Sequence, residues 1–219
     1  KIILHNKNFI GFTTEGRLLP AIIFSVFFLV AFSCNSHRKP AGKEMVNSAE
    51  EMDPRVKELI KVSLSYTLSK NGQLNDSILL SQDSLLDLLY RQNNFSPFWS
   101  SAEQWKPQAD SLFNFIEQSK LYGLFPSVYH LGELEKIRSM ILADSTTKII
   151  KNDAAVWTRA DLMLSDALVT IFQHIKLGRL PNDSITLRKD SVLSHEFIQS
   201  KFNEILTTGS LRSVIASLE

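Results

Sequence analysis

The chain has 219 residues, of which 44% are hydrophobic and 21% are charged, and its formal net charge is +1. This balance is typical of a folded domain with its own core, and the scattered Lys and Arg residues exclude the basic stripe of a nucleic-acid-binding protein. Eight glycines and few runs of β-branched residues disfavour a large sheet, so we expect a mostly helical domain.

The first feature in chain order is an export signal. Three basic residues precede the uncharged run 18–33, and a basic region followed by an apolar core is typical of a secretory signal peptide. The run is shorter than the roughly 20 residues that a spanning helix needs. It ends at Cys34, the only cysteine, and residues 31–34 resemble a bacterial lipobox. We predict a signal peptide over 1–33, with an uncleaved anchor and a chance apolar segment as the alternatives.

In the lipobox interpretation, the thiol of Cys34 carries the lipid and the mature protein is exported and anchored in the periplasm. The absence of an aspartate after Cys34 favours the outer membrane. Residues 34–53 are polar and predict a flexible, lipid-anchored linker, which leaves 54–219 for the helical domain.

Apolar spacing predicts the first helices of that domain. The first is expected over 55–69, before the turn signal Asn71-Gly72 and a short extended segment. Ser81 is expected to cap a second helix that ends at Asn93-Asn94. The compact aromatic stretch 95–99 follows, and we expect its rings to fill the core, with a sugar-stacking platform as the alternative.

Two further helices are expected over 107–121 and 133–142, with Gly123 as the C-terminal cap of the former. The longest helical period then runs from Asp153 to about Leu177. Its apolar face is expected to pack in the core, and the opposite face to carry Arg159, Asp161, Asp166, Gln173 and Lys176.

A polar loop is expected after Pro181, followed by a helix over 194–207 and a last helix capped by Ser210. The predicted fold class is therefore all-α: an irregular bundle of six or seven helices around a long central helix.

The sequence offers few groups for chemistry. Its histidines have no partner at a metal-ligand spacing, and no glycine-rich phosphate loop is present, so we expect no metal, no cofactor and no catalytic residue. A glycosidase with two carboxylates stays open, with candidates Glu103, Glu117, Asp161 and Asp166. The simpler role for Asp161 and Asp166 is a solvated flank or a buried hydrogen bond to a neighbouring turn.

Four motifs in order resemble the N-terminal scaffold domain of large bacterial murein L,D-transpeptidases. They are an aromatic-proline-tryptophan stretch, a Gly-Leu turn ending in Tyr-His, an aspartate helix with Ser165 at its hydroxyl position, and a Gly-Arg exit before a proline. The signature residues are Tyr90, Phe95, Pro97, Trp99, Gly123, Leu124, Pro126, Tyr129, His130, Asp161, Gly178 and Arg179.

The resemblance implies an exported protein that takes part in peptidoglycan cross-linking. In that family a C-terminal domain carries a cysteine nucleophile and a histidine in an SHGC-like motif, and this chain has no such motif. We therefore expect a non-catalytic scaffold, truncated before a catalytic domain that would be its partner in cis. Two alternatives are a stand-alone helical lipoprotein that binds an envelope protein and a carboxylate-based murein glycosidase.

Overall fold

The computed structural model describes residues 38–144, 146–178 and 193–218. The predicted signal peptide, Cys34, Arg179 and the polar loop after Pro181 lie outside the described residues. The described residues belong to one compact unit. Among the described residues, no helix is both long and apolar enough to cross a membrane.

The described residues form seven α-helices, which confirms the predicted all-α class. Their bounds are α1 Ala49–Ser69, α2 Asp83–Gln92, α3 Pro107–Gln118, α4 Leu131–Ala143, α5 Ala154–Leu177, α6 His195–Thr208 and α7 Leu211–Ala216. Two 3-10 helices, Ser119–Tyr122 and Pro126–Tyr129, lie between α3 and α4. The strands β1 Ser100–Ser101 and β2 Gln104–Trp105 form an antiparallel hairpin, which the sequence did not predict.

Helix α5 is the centre of the bundle, as its long apolar period predicts. Asp153 caps its start and accepts a hydrogen bond from the backbone N–H of Ala155 at 3.0 Å. Helix α1 is its main packing partner, and α2, α3 and α4 also pack against it. Trp157 on α5 and Trp99 before β1 are fully buried, so the expected position of both rings inside the bundle is confirmed.

The predicted polar face of α5 is wrong in its central part. Asp161 and Asp166 are buried, at 0% and 1% exposure, and α5 is buried almost all round from Ala154 to Phe172. A buried carboxylate is stable only when donors surround it. The second of the two expected roles, a buried hydrogen bond to a neighbouring turn, is therefore the one that Asp161 plays.

The predicted flexible linker ends earlier than expected. Helix α1 begins at Ala49 instead of residue 55, and Val46 is buried. The backbone N–H of Val46 donates to the carbonyl of Asn152, and that of Ala154 donates to the carbonyl of Glu44. These long-range backbone bonds fix the segment before α1 to the start of α5, whereas polar composition alone suggested a chain without partners.

Two local predictions also need correction. Ser81 does not cap α2, because Gln82 occupies the N-cap position and no side chain accepts a cap hydrogen bond. The predicted helix to Leu121 changes after Gln118 to a 3-10 helix, which ends at Gly123 with φ +70°. That left-handed conformation favours glycine and confirms the predicted cap.

Candidate functional site

The carboxylate of Asp161 is the centre of a buried polar cluster on α5. Its Oδ1 accepts hydrogen bonds from the hydroxyl of Tyr90 at 2.6 Å and from the backbone N–H of Phe98 at 3.0 Å. Its Oδ2 accepts from the backbone N–H of Trp99 at 2.9 Å. One side chain therefore holds helix α2 and the stretch before β1 against the central helix.

Ser165, one turn further along α5, completes the cluster. Its Oγ accepts a hydrogen bond from Nε1 of Trp99 at 2.9 Å and lies 2.8 Å from the hydroxyl oxygen of Tyr90. Because Tyr90 donates its proton to Asp161, the Ser165 hydroxyl donates to Tyr90. Every polar side-chain atom of the four residues thus has a partner, as buried polar groups require.

The local sequence explains why the stretch before β1 presents two backbone N–H groups to one carboxylate. Asn94 and Phe95 both have positive φ, at +52° and +57°, and turn the chain back at the end of α2. Pro97 donates no N–H of its own, and its carbonyl accepts a hydrogen bond from Nζ of Lys106 at 2.9 Å. The next two amides, Phe98 and Trp99, then face Asp161.

Aromatic packing encloses this cluster on the side of α6. The ring of Phe98 lies 4.6 Å from that of Tyr90 and 4.8 Å from that of Phe202, and Trp99 lies 5.6 Å from Phe202 in an edge arrangement. Phe98 and Trp99 are 5% and 0% exposed. The core-filling interpretation is confirmed, and the sugar-stacking alternative is wrong for these two rings.

Burial dominates the electrostatics of the cluster. It raises the pKa of the Asp161 carboxyl, although hydrogen bonds from Tyr90, Trp99 and Phe98 and the charge of Lys106 oppose the change. It also raises the pKa of Tyr90 well above its ordinary value, and the neighbouring charge of Asp161 adds to this effect. The Tyr90 hydroxyl therefore remains a hydrogen-bond donor over the whole physiological range.

A second cluster lies next to the first on α5 and contains the Tyr-His pair. Nε2 of His130 lies 2.8 Å from Oδ2 of Asp166, and Oδ1 of the same carboxylate accepts from the backbone N–H of Gln82 at 2.8 Å. His130 has φ +59° and occupies the N-cap position of α4. Asp166 thereby joins the start of α2 and the start of α4 to the central helix.

Tyr129, the preceding residue, contacts a later turn of α5. Its hydroxyl lies 2.8 Å from Nδ1 of His174, and its ring packs against the imidazole edge to face at 5.7 Å. The side-chain amides of Gln82 and Gln173 are paired nearby, with N–O distances of 2.9 and 3.0 Å. The adjacent Tyr129 and His130 thus reach different turns of one helix.

The remaining signature residues shape turns. Gly123 ends the first 3-10 helix, Leu124 is buried, and Pro126 begins the second 3-10 helix. Gly178 follows α5 with φ +85°. Phe95 is half-buried, and the guanidinium of Arg91 lies 5.7 Å from its ring centroid.

The arrangement positions elements of the fold, and both of its carboxylates are buried among the groups that bond to them. Asp161 and Asp166 are buried and their oxygens accept bonds from the fold itself. The other glycosidase candidates lie on different elements: Glu117 on α3 pairs with Arg138 at 3.3 Å, and Glu103 lies in the hairpin turn. Within the described residues, no group of three or more His, Cys, Asp or Glu side chains could hold a metal ion.

Sequence reasoning missed the partners of these motifs. The sequence predicts Asp166 on a solvated flank or in a hydrogen bond to an unidentified turn, and it does not single out Gln82. One feature of the sequence does indicate that Asp166 has a partner: it lies within an otherwise apolar stretch of α5, where an unpaired charge would be costly. The sequence alone does not contain the identity of its partners, 36 and 84 residues away.

Comparison with protein-family models matches residues 84–219, more than half of the chain, to the Scaffold domain. The chain belongs to the Scaffold domain family. The match includes both polar clusters except Gln82, and all the signature residues from Tyr90 to Arg179. No curated protein and no solved structure matches the chain significantly. Helix α1 precedes the matched stretch, although it packs more extensively on α5 than any other helix does.

Proposed function

We propose that this Scaffold domain serves an exported L,D-transpeptidase-like protein in peptidoglycan cross-linking, with the catalytic cysteine and histidine supplied by another domain. The family match over 84–219 is the observation that carries the proposal. The convergence of Tyr90 and Trp99 on Asp161 and Ser165 supports it, because motif residues distant in sequence serve the same packing of the fold.

The proposed role is to hold a rigid frame beside the reacting domain. A helix fixed on several sides by buried hydrogen bonds keeps its neighbours in one arrangement, and such rigidity is what a domain that positions another one requires. The proposed location is the periplasm, with the protein anchored through a lipid on Cys34.

The test of this proposal has two parts. We expect the coding sequence after Glu219 to continue into a domain with an SHGC-like motif. We also expect the complete polypeptide to form 3→3 cross-links in purified sacculi, and its catalytic-cysteine→Ala variant and residues 37–219 alone to form none. A stop codon directly after Glu219, or cross-linking by residues 37–219 alone, would contradict the proposal.

A second candidate, a helical envelope lipoprotein that binds a protein partner, is favoured by one surface. Four large apolar side chains around the two 3-10 helices are exposed: Leu121 at 81%, Tyr122 at 43%, Phe125 at 50% and Val128 at 40%. Several large apolar side chains exposed next to one another are typical of an interaction surface. A photo-crosslinker at Leu121 that captures one envelope protein in cells, and loses it with Phe125→Ser, would favour this candidate over the first.

A further inference from the structure

One end of the bundle combines two segments that are distant in sequence. We call residues 38–46 the strap and residues 146–152 the loop. The carbonyl of Glu44 accepts from the backbone N–H of Ala154 at 2.8 Å, and the carbonyl of Asn152 accepts from the backbone N–H of Val46 at 2.9 Å. Asp153, the N-cap of α5, also accepts from the backbone N–H of Glu44 at 2.8 Å. The strap and the loop therefore lie together at the start of the central helix.

The strap is also held at Gly42, and near its start Lys39 lies beside an exposed acid. Nη1 of Arg159 donates to the carbonyl of Gly42 at 3.0 Å, and Nζ of Lys39 lies 3.9 Å from a carboxylate oxygen of Asp76. Only four peptide units separate Arg38 from Cys34. A fully extended chain covers about 3.5 Å per residue, so covalent connectivity limits the distance from Cys34 to Arg38 to about 14 Å.

The strap and the loop expose cationic and apolar side chains. Arg38, Lys43 and Lys148 are exposed, and among the described residues no carboxylate lies within 4.0 Å of any of them. Met45 on the strap and Ile149 on the loop are 46% and 48% exposed. Exposed cations that flank exposed apolar side chains fit an anionic lipid surface, where each cation contributes about 1 kcal/mol.

The acidic groups at the same end are paired with cations, buried below the surface, or placed on α1. Glu44 is paired with Arg55 at 2.6 Å, and Asp76 faces Lys39. Asp144 and Asp153 are buried and accept hydrogen bonds from backbone amides. Among the described residues, the exposed acids without a cation partner at this end are Glu50 and Glu51, in the first turn of α1. The described cations without an acid partner there are the three exposed ones and the half-buried Lys151.

We propose that the strap and the loop form a docking surface for anionic phospholipid headgroups, so that the start of α5 faces the membrane. The inference rests on the proposed anchoring at Cys34, which brings this end within reach of the lipid. The opposite end of α5 lies about 36 Å from this surface along the helix, because the helix has 24 residues at 1.5 Å each. That end would be directed toward the cell wall.

The experiment measures lysine acetylation on the full chain, matured in cells and reconstituted into vesicles. One set of vesicles contains only phosphatidylcholine, and the other contains 30 mol% phosphatidylglycerol. Lys43 and Lys148 report on the proposed surface, and the exposed Lys176, in the last turn of α5, is the internal control. Flotation with the vesicles and the mass of the N-terminal peptide report separately on the anchor.

We expect phosphatidylglycerol to slow acetylation of Lys43 and Lys148 about fivefold relative to Lys176, because that change corresponds to about 1 kcal/mol of headgroup interaction per cation. The slowing should disappear in 1 M salt. An unchanged ratio in a protein that floats with a lipid on Cys34 overturns the docking surface and leaves the anchor intact. A protein that neither floats nor carries lipid overturns both.

Discussion

Replacing Asp161 by Asn is the sharpest test of the buried cluster, because the change conserves volume and removes one acceptor. The two backbone donors, Phe98 and Trp99, bond to different carboxylate oxygens. An amide has one oxygen and one NH₂ group. Whichever way the Asn side chain turns, one backbone N–H faces another donor in a site with 0% exposure.

The magnitude follows from that mismatch. A buried donor without an acceptor costs about 1–3 kcal/mol, and both the backbone N–H and the new NH₂ group lose partners. We expect the free energy of unfolding to fall by about 2–4 kcal/mol, a large share of the 5–15 kcal/mol typical of a domain. The melting temperature should fall by about 5–15 °C, at about 2–4 °C per kcal/mol for a chain of this size.

The assay is urea unfolding of residues 37–219 at pH 7, followed by tryptophan fluorescence and by circular dichroism. Asp76→Asn is the matched control, since the Asp76 side chain is 98% exposed, and such surface changes stay within about 0.5 kcal/mol. An Asp161→Asn variant that is no less stable than Asp76→Asn would refute the argument that these three donors depend on the carboxylate.

Three further predictions concern pH, the helix cap and a close backbone contact. Burial raises the pKa of Asp161 in the folded state above the ordinary value of 3.8, so its contribution to stability is present at low pH and is lost as the pH rises through the folded-state pKa. The stability advantage of wild type over Asp161→Asn should therefore be smaller at pH 7 than at pH 4 in parallel urea titrations. Asp153→Ala removes the acceptor for Ala155 and Glu44 and should cost about 1–2 kcal/mol in thermal unfolding; equal stability would contradict a capping role. Gly72→Ala places a Cβ 2.2 Å from the carbonyl oxygen of Leu80 at φ +85° and should destabilise by about 1–3 kcal/mol, whereas Gly42→Ala, with no atom within 4 Å, is the neutral control.

Helical periodicity predicted most of the fold because it depends on which face of a helix is apolar. The bounds of α5 and α6 agree with the prediction to within a few residues. Periodicity failed at Asp161 and Asp166, because a charged residue counts as outward-facing unless its partners are known. Those partners lie on α2, before β1 and at the start of α4, and only the tertiary fold brings them to α5.

The strap and the hairpin show a second limit of sequence reasoning. Residues 38–46 are polar and show no helical or strand periodicity. They are nevertheless held in place by hydrogen bonds of their backbone N–H and C=O groups, which any residue type except proline can make. The hairpin spans only four strand residues and is held from outside, since Asp53 accepts from the hydroxyl of Ser101 at 2.6 Å and the backbone N–H of Ala102 at 2.9 Å. Such segments have no signal in composition or alternation.

The spacing of partners along α5 has an evolutionary consequence. Four side chains of α5 form hydrogen bonds to elements on several sides of the helix: Asp161, Ser165, Asp166 and His174. Each of these bonds depends on the direction in which the side chain leaves the helix. Inserting or deleting one residue between 161 and 174 turns everything beyond it by about 100°. Family members are therefore expected to keep this thirteen-residue interval at constant length and to accumulate their insertions and deletions elsewhere.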